Sequence, residues 1–346
     1  MSNLQIGLAI AGGVILAGVV AHGAWSARRN APRQAQPEPS RDSVDALARD
    51  PVFGDFEHDS QSMNLPPTAR RSAMDSLIDV IATVALDSAH AQVSGEAAIA
   101  AMPATRRAGT KPFSIEGYNL ATLSWELPVP GHRYGGFQAG VQLANRSGAL
   151  NEIEYSEFVV KTQAFADAIN ATPEFPEMLE EVARARELDQ FASAHDAQLG
   201  FTIRARNASW SPGYIQQNSA RLGFVAGVIP GRMVLPASAP GLAPVLVLSF
   251  DSQAALAEDP AQSAIREVTL HLDVAQVNRS ENPFERMREV AASLAQSMDG
   301  VVTDDNGQLL SAPTMDGIGV ELRTLYDTLE HRELAAGSPL ARRLFS

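Results

Sequence analysis

Cysteine is absent from the 346-residue sequence, so disulfide bonds and thiolate metal sites are excluded. This absence agrees with a reducing compartment such as the cytoplasm. The chain also lacks any block rich in Lys and Arg, and its formal net charge is −13. A chain this acidic would be repelled by the phosphate backbone. We therefore expect no nucleic-acid partner.

Catalytic and metal-binding motifs are missing as well. The seven His residues are scattered without ligand spacing, and the sequence has no phosphate-binding loop, dinucleotide fingerprint or nucleophile elbow. Asp304 and Asp305 are adjacent carboxylates, which can bind a metal or transfer protons. They lie in "TDDNG", however, which is more typical of a tight turn. We predict a protein that is not an enzyme and needs no cofactor or metal.

The longest uncharged stretch lies near the start of the chain and predicts a transmembrane helix over residues 6–26. Twenty helical residues cover about 30 Å, the thickness of the hydrocarbon layer. Arg28 and Arg29 follow directly, and basic residues flank the cytoplasmic side of a span. Residues 1–5 are therefore predicted to be periplasmic. A cleaved signal peptide, the alternative, would carry its basic residues before a shorter apolar core.

Small residues recur every fourth position of this span, at Ala9, Gly13, Ala17 and Ala21. Such a stripe allows two membrane helices to pack closely and to self-associate. The same stripe also arises simply from a composition rich in Ala and Gly, so both interpretations stay open.

The sequence after the span predicts a tether followed by two folded modules. Residues 27–75 are rich in Pro, Ser, Asp and Arg and have no sustained period, which is typical of a disordered cytoplasmic linker. Alternating strands and amphipathic helices then predict one module over residues 76–199 and a second over 200–346. We predict an α+β fold of split β-α-β type, with a mainly antiparallel sheet and helices packed on one face.

The strand in "REVTLHLDV" carries the clearest alternation. Val268, Leu270, Leu272 and Val274 share one face, whereas Thr269, His271 and Asp273 share the other. Because only one face is apolar, helices are expected on that side alone.

The helix after this strand has predicted caps at both ends. Asn282 is expected as N-cap, with Pro283 at the first position and Glu285 completing a variant of the capping box. Gly300 is expected to take the left-handed position at its C-terminus. Its "NPFERMREVA" matches "EFPEMLEEVA" at an offset of 109, which aligns Phe284 with Phe175. This match suggests two degenerate tandem modules, although chance also explains it.

The layout resembles the ZipA family of bacterial cell-division proteins. The likeness is carried by residues 266–305, "REVTLHLDVAQVNRSENPFERMREVAASLAQSMDGVVTDD", and more weakly by "VQLANRSG" at 141–148. The resemblance implies an N-terminal membrane helix, a linker, and a cytoplasmic α+β domain that binds the C-terminal tail peptide of FtsZ. This linker is shorter, and the globular part larger, than the family pattern.

The resemblance also implies a shallow peptide groove on the open face of the sheet. By strand-by-strand matching, the groove residues would be Met233, Leu235, Ser249, Thr269 and His271. This set is less apolar than a peptide groove requires. An alternative groove in the first module would use Val141, Leu143 and Asn145.

These observations lead to a functional prediction. The chain is expected to be a single-pass protein of the bacterial inner membrane, in contact with lipid through residues 6–26, that links the FtsZ ring to that membrane. The alternative is a membrane-anchored division or envelope protein whose domain binds another partner. A membrane-bound hydrolase is disfavoured because no nucleophile and base are recognisable.

Overall fold

The computed structural model describes residues 32–35, 74–88 and 91–346. The described residues form two compact units. The first unit comprises residues 74–88, 91–196 and 339–346, and the second unit comprises residues 32–35 and 197–338. The structure therefore divides the chain at 196/197 and returns its last eight residues to the first unit, whereas the sequence placed them in the second module.

Secondary structure in residues 74–196 begins with a long strand and ends with a long helix. Its elements are β1 (Asp79–Leu86), β2 (Val93–Ser94), α1 (Gly95–Ala101), β3 (Arg107–Ala108), β4 (Lys111–Asn119), β5 (Ser124–Glu126), β6 (Arg133–Gln142), β7 (Ala144–Asn145), β8 (Gly148–Ala149), α2 (Glu152–Ala168), β9 (Ala171–Glu174) and α3 (Met178–His195).

Residues 197–346 continue with further strands and helices. Their elements are β10 (Gln198–Ala205), α4 (Pro212–Ala220), β11 (Val225–Ala226), β12 (Arg232–Leu235), β13 (Leu246–Ser249), α5 (Ser252–Ala255), β14 (Glu267–Asp273), α6 (Pro283–Met298), β15 (Gly300–Thr303), α7 (Ala312–His331) and α8 (Pro339–Leu344). Short 3₁₀ turns lie at Pro260–Gln262, Val274–Gln276 and Arg279–Glu281.

The first unit is built on an antiparallel sheet with the strand order β3-β4-β6-β1-β9. Val80, Ala82 and Val84 of β1 alternate along the strand and are fully buried, as the period of a strand requires. The ring of Phe137 on β6 lies 5.2 Å from that of Phe165 on α2, in an edge-to-face arrangement. Phe113 on β4 meets Phe158 of the same helix at 6.0 Å. Helix α2 therefore covers one face of this sheet with aromatic side chains.

The second unit has an antiparallel sheet with the order β11-β12-β13-β14-β10-β15. Leu270 at its centre pairs with Leu248 on one side and with Phe201 on the other, and all three are buried. The Phe201 ring contacts that of Phe284 on α6 at 6.2 Å, edge to face. The α+β class and the antiparallel sheet predicted from the sequence are thus confirmed.

The two units repeat one topology. In the first, β1 lies between β6 and β9, and in the second, β10 lies between β14 and β15. The registers also correspond, because Leu86 pairs with Ala171 as Ala205 pairs with Gly300. The helix that precedes the last strand is α2 in one unit and α6 in the other. The predicted alignment of Phe175 with Phe284 is therefore wrong, since it matched α6 to the segment that begins α3.

The equivalent helices align at an offset of 129 rather than 109. At this offset both helices end in a left-handed residue, Asn170 with φ 53° and Asp299 with φ 55°. The next strand begins immediately afterwards in both units. At the same offset, the buried side chains of α2 and the turn after it match the buried stripe of α6: Tyr155 with Phe284, Phe158 with Met287, Thr162 with Ala291, Phe165 with Leu294 and Ile169 with Met298.

The caps of α6 differ from the prediction. Asn282 is itself left-handed, with φ 47°, and its side chain makes no capping hydrogen bond. The left-handed C-cap is Asp299, so Gly300 does not fill that position. Gly300 instead begins β15, where an added Cβ would lie 2.8 Å from Cγ2 of Ile203. A capping box does form on α2, between Asn151 and Glu154, although none is predicted there.

A segment of the predicted linker is part of the second unit. The amide of Arg33 donates to the carbonyl of Ser209 at 2.7 Å, and its carbonyl accepts from the amide of Ser211 at 2.9 Å. The Arg33 guanidinium lies 2.9 Å from the carboxylate of Asp299. The disorder predicted for residues 27–75 therefore does not hold for residues 32–35, because their backbone hydrogen bonds are satisfied by the folded unit.

The C-terminal helix α8 closes one end of the first sheet. Arg343 makes a bidentate ion pair with Asp79 on β1. Its Nη2 donates to Oδ1 of Asp79 at 2.5 Å, and its Nη1 donates to Oδ2 at 2.9 Å. The carbonyl of Arg343 also accepts a hydrogen bond from the Gln142 side chain on β6 at 2.8 Å. Residues 339–346 thus complete a sheet whose strands lie about 200 residues earlier in the chain.

Candidate functional site

The candidate site is the face of the second sheet that points away from α6. Directly paired residues of neighbouring strands place their side chains on the same face, so the ladder defines two rows across it. One row joins Val225, Val234, Val247, His271 and Gly200. The adjacent row joins Arg232, Ser249, Thr269, Thr202 and Thr303. Thr202 and Thr303 are buried, so the accessible part of this face lies over β12, β13 and β14 and is partly apolar and partly polar.

Strand β14 contributes the residues at the centre of this face. Val268, Leu270 and Leu272 are buried at about 1% exposure or less, while His271 is exposed and Thr269 half-buried. The alternation predicted for this strand is confirmed. Ser249 on β13 is also half-buried and lies beside Thr269. Three of the five predicted groove residues therefore lie together on the open face.

Met233 and Leu235 do not lie on this face, and the orientation predicted for them is wrong. Both side chains are buried, at 5% exposure, on the helix side of the sheet. Met233 pairs with Leu248, which also faces the core. Their neighbours Arg232 and Val234 point outward in their place. The pairing with β13 sets this phase, which the run of apolar residues in β12 leaves ambiguous.

A groove of about 640 Å³ crosses the open face. Val247, Ser249 and His271 lie on its two central strands, β13 and β14, and Arg232 on β12 and Asp305 over β10 lie on the flanking strands. Further lining residues are Gln198, Leu199, Gly200, Ala243, Pro244, Val245, Leu272, Asp273 and Gln276. This volume is in the range of sites that hold small ligands or short peptide segments.

His271 occupies the middle of the groove. Its Nε2 lies 2.9 Å from Oγ of Ser249, within hydrogen-bond distance. Partial burial lowers the pKa of His271 below its ordinary value of 6.5; the carboxylate of Asp305 opposes this shift and Arg232 reinforces it. His271 is thereby favoured in its neutral form near pH 7, so the formal charges of the groove are those of Arg232, Asp273 and Asp305.

The alternative groove of the first unit is not a surface feature. Val141 and Leu143 are fully buried, and Asn145 is 7% exposed. The side-chain oxygen of Asn145 accepts a hydrogen bond from Nζ of Lys111 at 3.0 Å, and its amide donates to the carbonyl of Thr110. These three residues lie in the interior of the first unit, where a partner cannot reach them. The alternative groove predicted from the sequence is therefore wrong.

Asp304 and Asp305 have different roles. Oδ1 of Asp304 accepts from the amide of Gln308 at 2.7 Å, which fixes the predicted turn. The carboxylate of Asp305 lies over β10, since a Cβ on Gly200 would be 3.0 Å from its Oδ1. Within residues 32–35, 74–88 and 91–346, no cluster of three or more acidic or His side chains is arranged to hold a metal ion.

The predicted transmembrane helix, residues 6–26, lies outside the described residues, as do Arg28 and Arg29. The helices that the structure does describe include none with the length and apolar character needed to cross a bilayer.

A comparison with protein families matches residues 253–319 to the C-terminal FtsZ-binding domain of ZipA. This segment is ZipA-like. The ZipA-like segment runs from α5 through β14, α6 and β15 into α7. It supplies His271, Asp273 and Asp305 to the groove, whereas Arg232 and Val247 precede it. A comparison with individual characterised proteins gives no significant match.

Arg232, Val247 and Asp305 line the groove but are not predicted as groove residues from the sequence. Val247 belongs to an uninterrupted apolar run, in which no alternation shows its outward phase. For Asp305 the sequence indicates a turn or a pair of adjacent carboxylates, and neither interpretation places it on the sheet face. Arg232 begins β12 and pairs with Ser249, which places its side chain on the open face. This pairing can be recognised only once the register of the two strands is known.

Proposed function

We propose that this chain is an adaptor of bacterial cell division whose second unit binds the C-terminal tail of FtsZ. One observation carries the proposal: the ZipA-like segment supplies β14, the strand at the centre of the open face. The family is described by its FtsZ-binding domain. The activity is therefore binding rather than catalysis, and it needs no cofactor.

The geometry of the open face supports a peptide partner. Arg232 and His271 are exposed, and Val247, Ser249 and Thr269 are half-buried, so a partner can reach all five. A peptide laid across Val247 would bury apolar surface while its polar groups meet Ser249 and Thr269. Because the apolar area is small, we expect a dissociation constant in the micromolar range. This corresponds to a binding free energy of about −8 kcal/mol.

Membrane attachment is the second part of the proposal. The uncharged stretch at residues 6–26, followed by Arg28 and Arg29, supports a single inner-membrane span with residues 1–5 in the periplasm. The chain would then link the FtsZ ring to the inner membrane. An alkaline phosphatase fused after residue 346 should be inactive, and an active fusion would contradict this topology.

The binding experiment uses the full chain in mild detergent and a fluorescent peptide with the sequence of the FtsZ C-terminal tail. Val247→Glu places a charge on the groove floor and should weaken binding at least about tenfold, or about 1.4 kcal/mol. Val320→Glu is the matched control, because Val320 is 54% exposed on α7 and away from the groove. Both variants should melt at nearly the wild-type temperature.

The outcome distinguishes two partners. Equal loss of binding in both variants would contradict a site on the open face. If the wild-type chain fails to bind the tail at high micromolar concentration, FtsZ is not the partner. The groove would then bind a different partner of an adaptor protein. The polar side chains of Arg232, His271 and Asp305 favour this alternative.

A further inference from the structure

The groove on the open face has ends of opposite charge. Arg232 lies at the start of β12, near one edge of the sheet. Asp305 follows β15 at the other end, and its carboxylate lies over Gly200 on β10. Both side chains line the same groove. Neither forms an ion pair with any residue of the described ranges, so both charges are available to a partner.

The separation of the two charges follows from the strand order. β12 and β10 are three strand spacings apart, with β13 and β14 between them. At roughly 4.8 Å per spacing, and allowing for the offset along the strands, the backbone at Arg232 is about 15 Å from that at Gly200, which lies below Asp305. This distance corresponds to about five residues of an extended peptide or about ten residues of a helix.

The lining between Arg232 and Asp305 is mixed, and Asp273, which is paired with Gln198 on β10, adds a second carboxylate to it. Val247 offers apolar surface, and Ser249 and His271 are joined by a hydrogen bond of 2.9 Å. An apolar side chain of the partner fits over Val247, flanked by polar groups that can meet a peptide backbone. The surface is therefore complementary to a segment with one charged group on each side of an apolar residue.

Building on the proposed function, we infer that the groove reads the charge order of its peptide: an acidic side chain pairs with Arg232 and a basic side chain pairs with Asp305. The two contacts fix the direction in which the peptide crosses the strands. An all-acidic or all-basic segment would meet one attractive and one repulsive end, so it would be discriminated against.

The test measures binding of FtsZ tail peptides to the full chain by fluorescence anisotropy. Arg232→Glu should weaken binding about tenfold at low salt, because it replaces an attraction by a repulsion. A peptide whose acidic residues are replaced by Lys should bind this variant better than it binds the wild type. Asp305→Lys should show the reciprocal preference, for peptides whose basic residues are replaced by Glu.

Matched controls lie on α7 of the same unit. Arg323→Glu and Glu321→Lys change the net charge by the same amounts at exposed positions away from the groove. Both should leave peptide binding within about twofold of the wild type. Because rim charges act through screened attraction, the advantage of the wild type over Arg232→Glu should also shrink as salt is raised.

A second measurement avoids dependence on the variants. Peptides with acidic residues replaced by Gln, or with basic residues replaced by Gln, should each bind the wild-type chain several-fold more weakly than the natural tail. If Val247→Glu abolishes binding while these peptides and Arg232→Glu leave it unchanged, the charge-reading inference is wrong and the proposed function stands. If the wild-type chain does not bind the tail at all, both are overturned.

Discussion

The contact between Arg343 and Asp79 gives the sharpest prediction about stability. Asp79 is 2% exposed, and the Arg343 guanidinium reaches both of its carboxylate oxygens. Arg343→Ala would leave a buried carboxylate without its charged partner. Removing one member of a buried ion pair costs about 3–5 kcal/mol. Because the Arg343 side chain is 29% exposed, we expect the lower end, about 3 kcal/mol.

An exposed ion pair of the same unit provides the control. Arg186 and Glu152 are joined at 3.0 Å, but their side chains are 67% and 47% exposed. Arg186→Ala should therefore cost less than about 1 kcal/mol. In thermal unfolding, Arg343→Ala should lower the midpoint of the first unit's transition by roughly 10 °C. Arg186→Ala should shift it by only a few degrees.

The pH dependence tests the cause of this loss. Burial raises the pKa of Asp79 above its ordinary value of 3.8, and Arg343 opposes that shift. Without Arg343 the carboxyl group binds a proton more readily in the folded state, so its charge is neutralised as the pH falls. The deficit of Arg343→Ala should therefore be smaller at pH 5 than at pH 7.5. An equal deficit at both values, or one no larger than that of Arg186→Ala, would refute the reasoning.

Three further predictions concern the second unit. Met233→Glu should strongly lower the urea concentration at which this unit unfolds, because it buries a charge. If the variant has normal stability and only a weaker affinity for the peptide, Met233 lies on the surface. Arg33→Ala should cost at most about 1 kcal/mol, since its pair with Asp299 is partly exposed, and should increase proteolysis of residues 32–35. Because burial lowers the pKa of His271, the unfolded chain protonates first, so stability should fall as the pH drops below 6.5; His271→Gln should flatten this part of the curve.

Sequence patterns predicted the parts of the fold that local chemistry determines. Strand β14 alternates strictly between apolar and polar residues, and only one phase of such a strand can bury Val268, Leu270 and Leu272. Helix α6 was likewise expected because its apolar residues recur at helical spacing. The open face could be predicted at Thr269 and His271 for the same reason.

Other parts depend on partners far away in the chain. In β12 the run Met233–Val234–Leu235 is apolar on both faces, so its phase is set by pairing with β13. Gly300 is required by the close approach of Ile203 rather than by a helix cap. The contact between Asp79 and Arg343 joins residues 264 positions apart. No local pattern encodes such pairings, which is why Arg232 and Val247 could not be recognised as groove residues from the sequence.

The most direct measurement is the affinity of the full chain for the FtsZ C-terminal tail peptide, with Val247→Glu and Val320→Glu compared in parallel. We predict micromolar binding by the wild type, a loss of at least about tenfold for Val247→Glu, and no change for Val320→Glu. Undetectable binding by the wild type at high micromolar concentration, or equal affinity of all three proteins, would contradict the proposal that the open face of the second unit binds FtsZ.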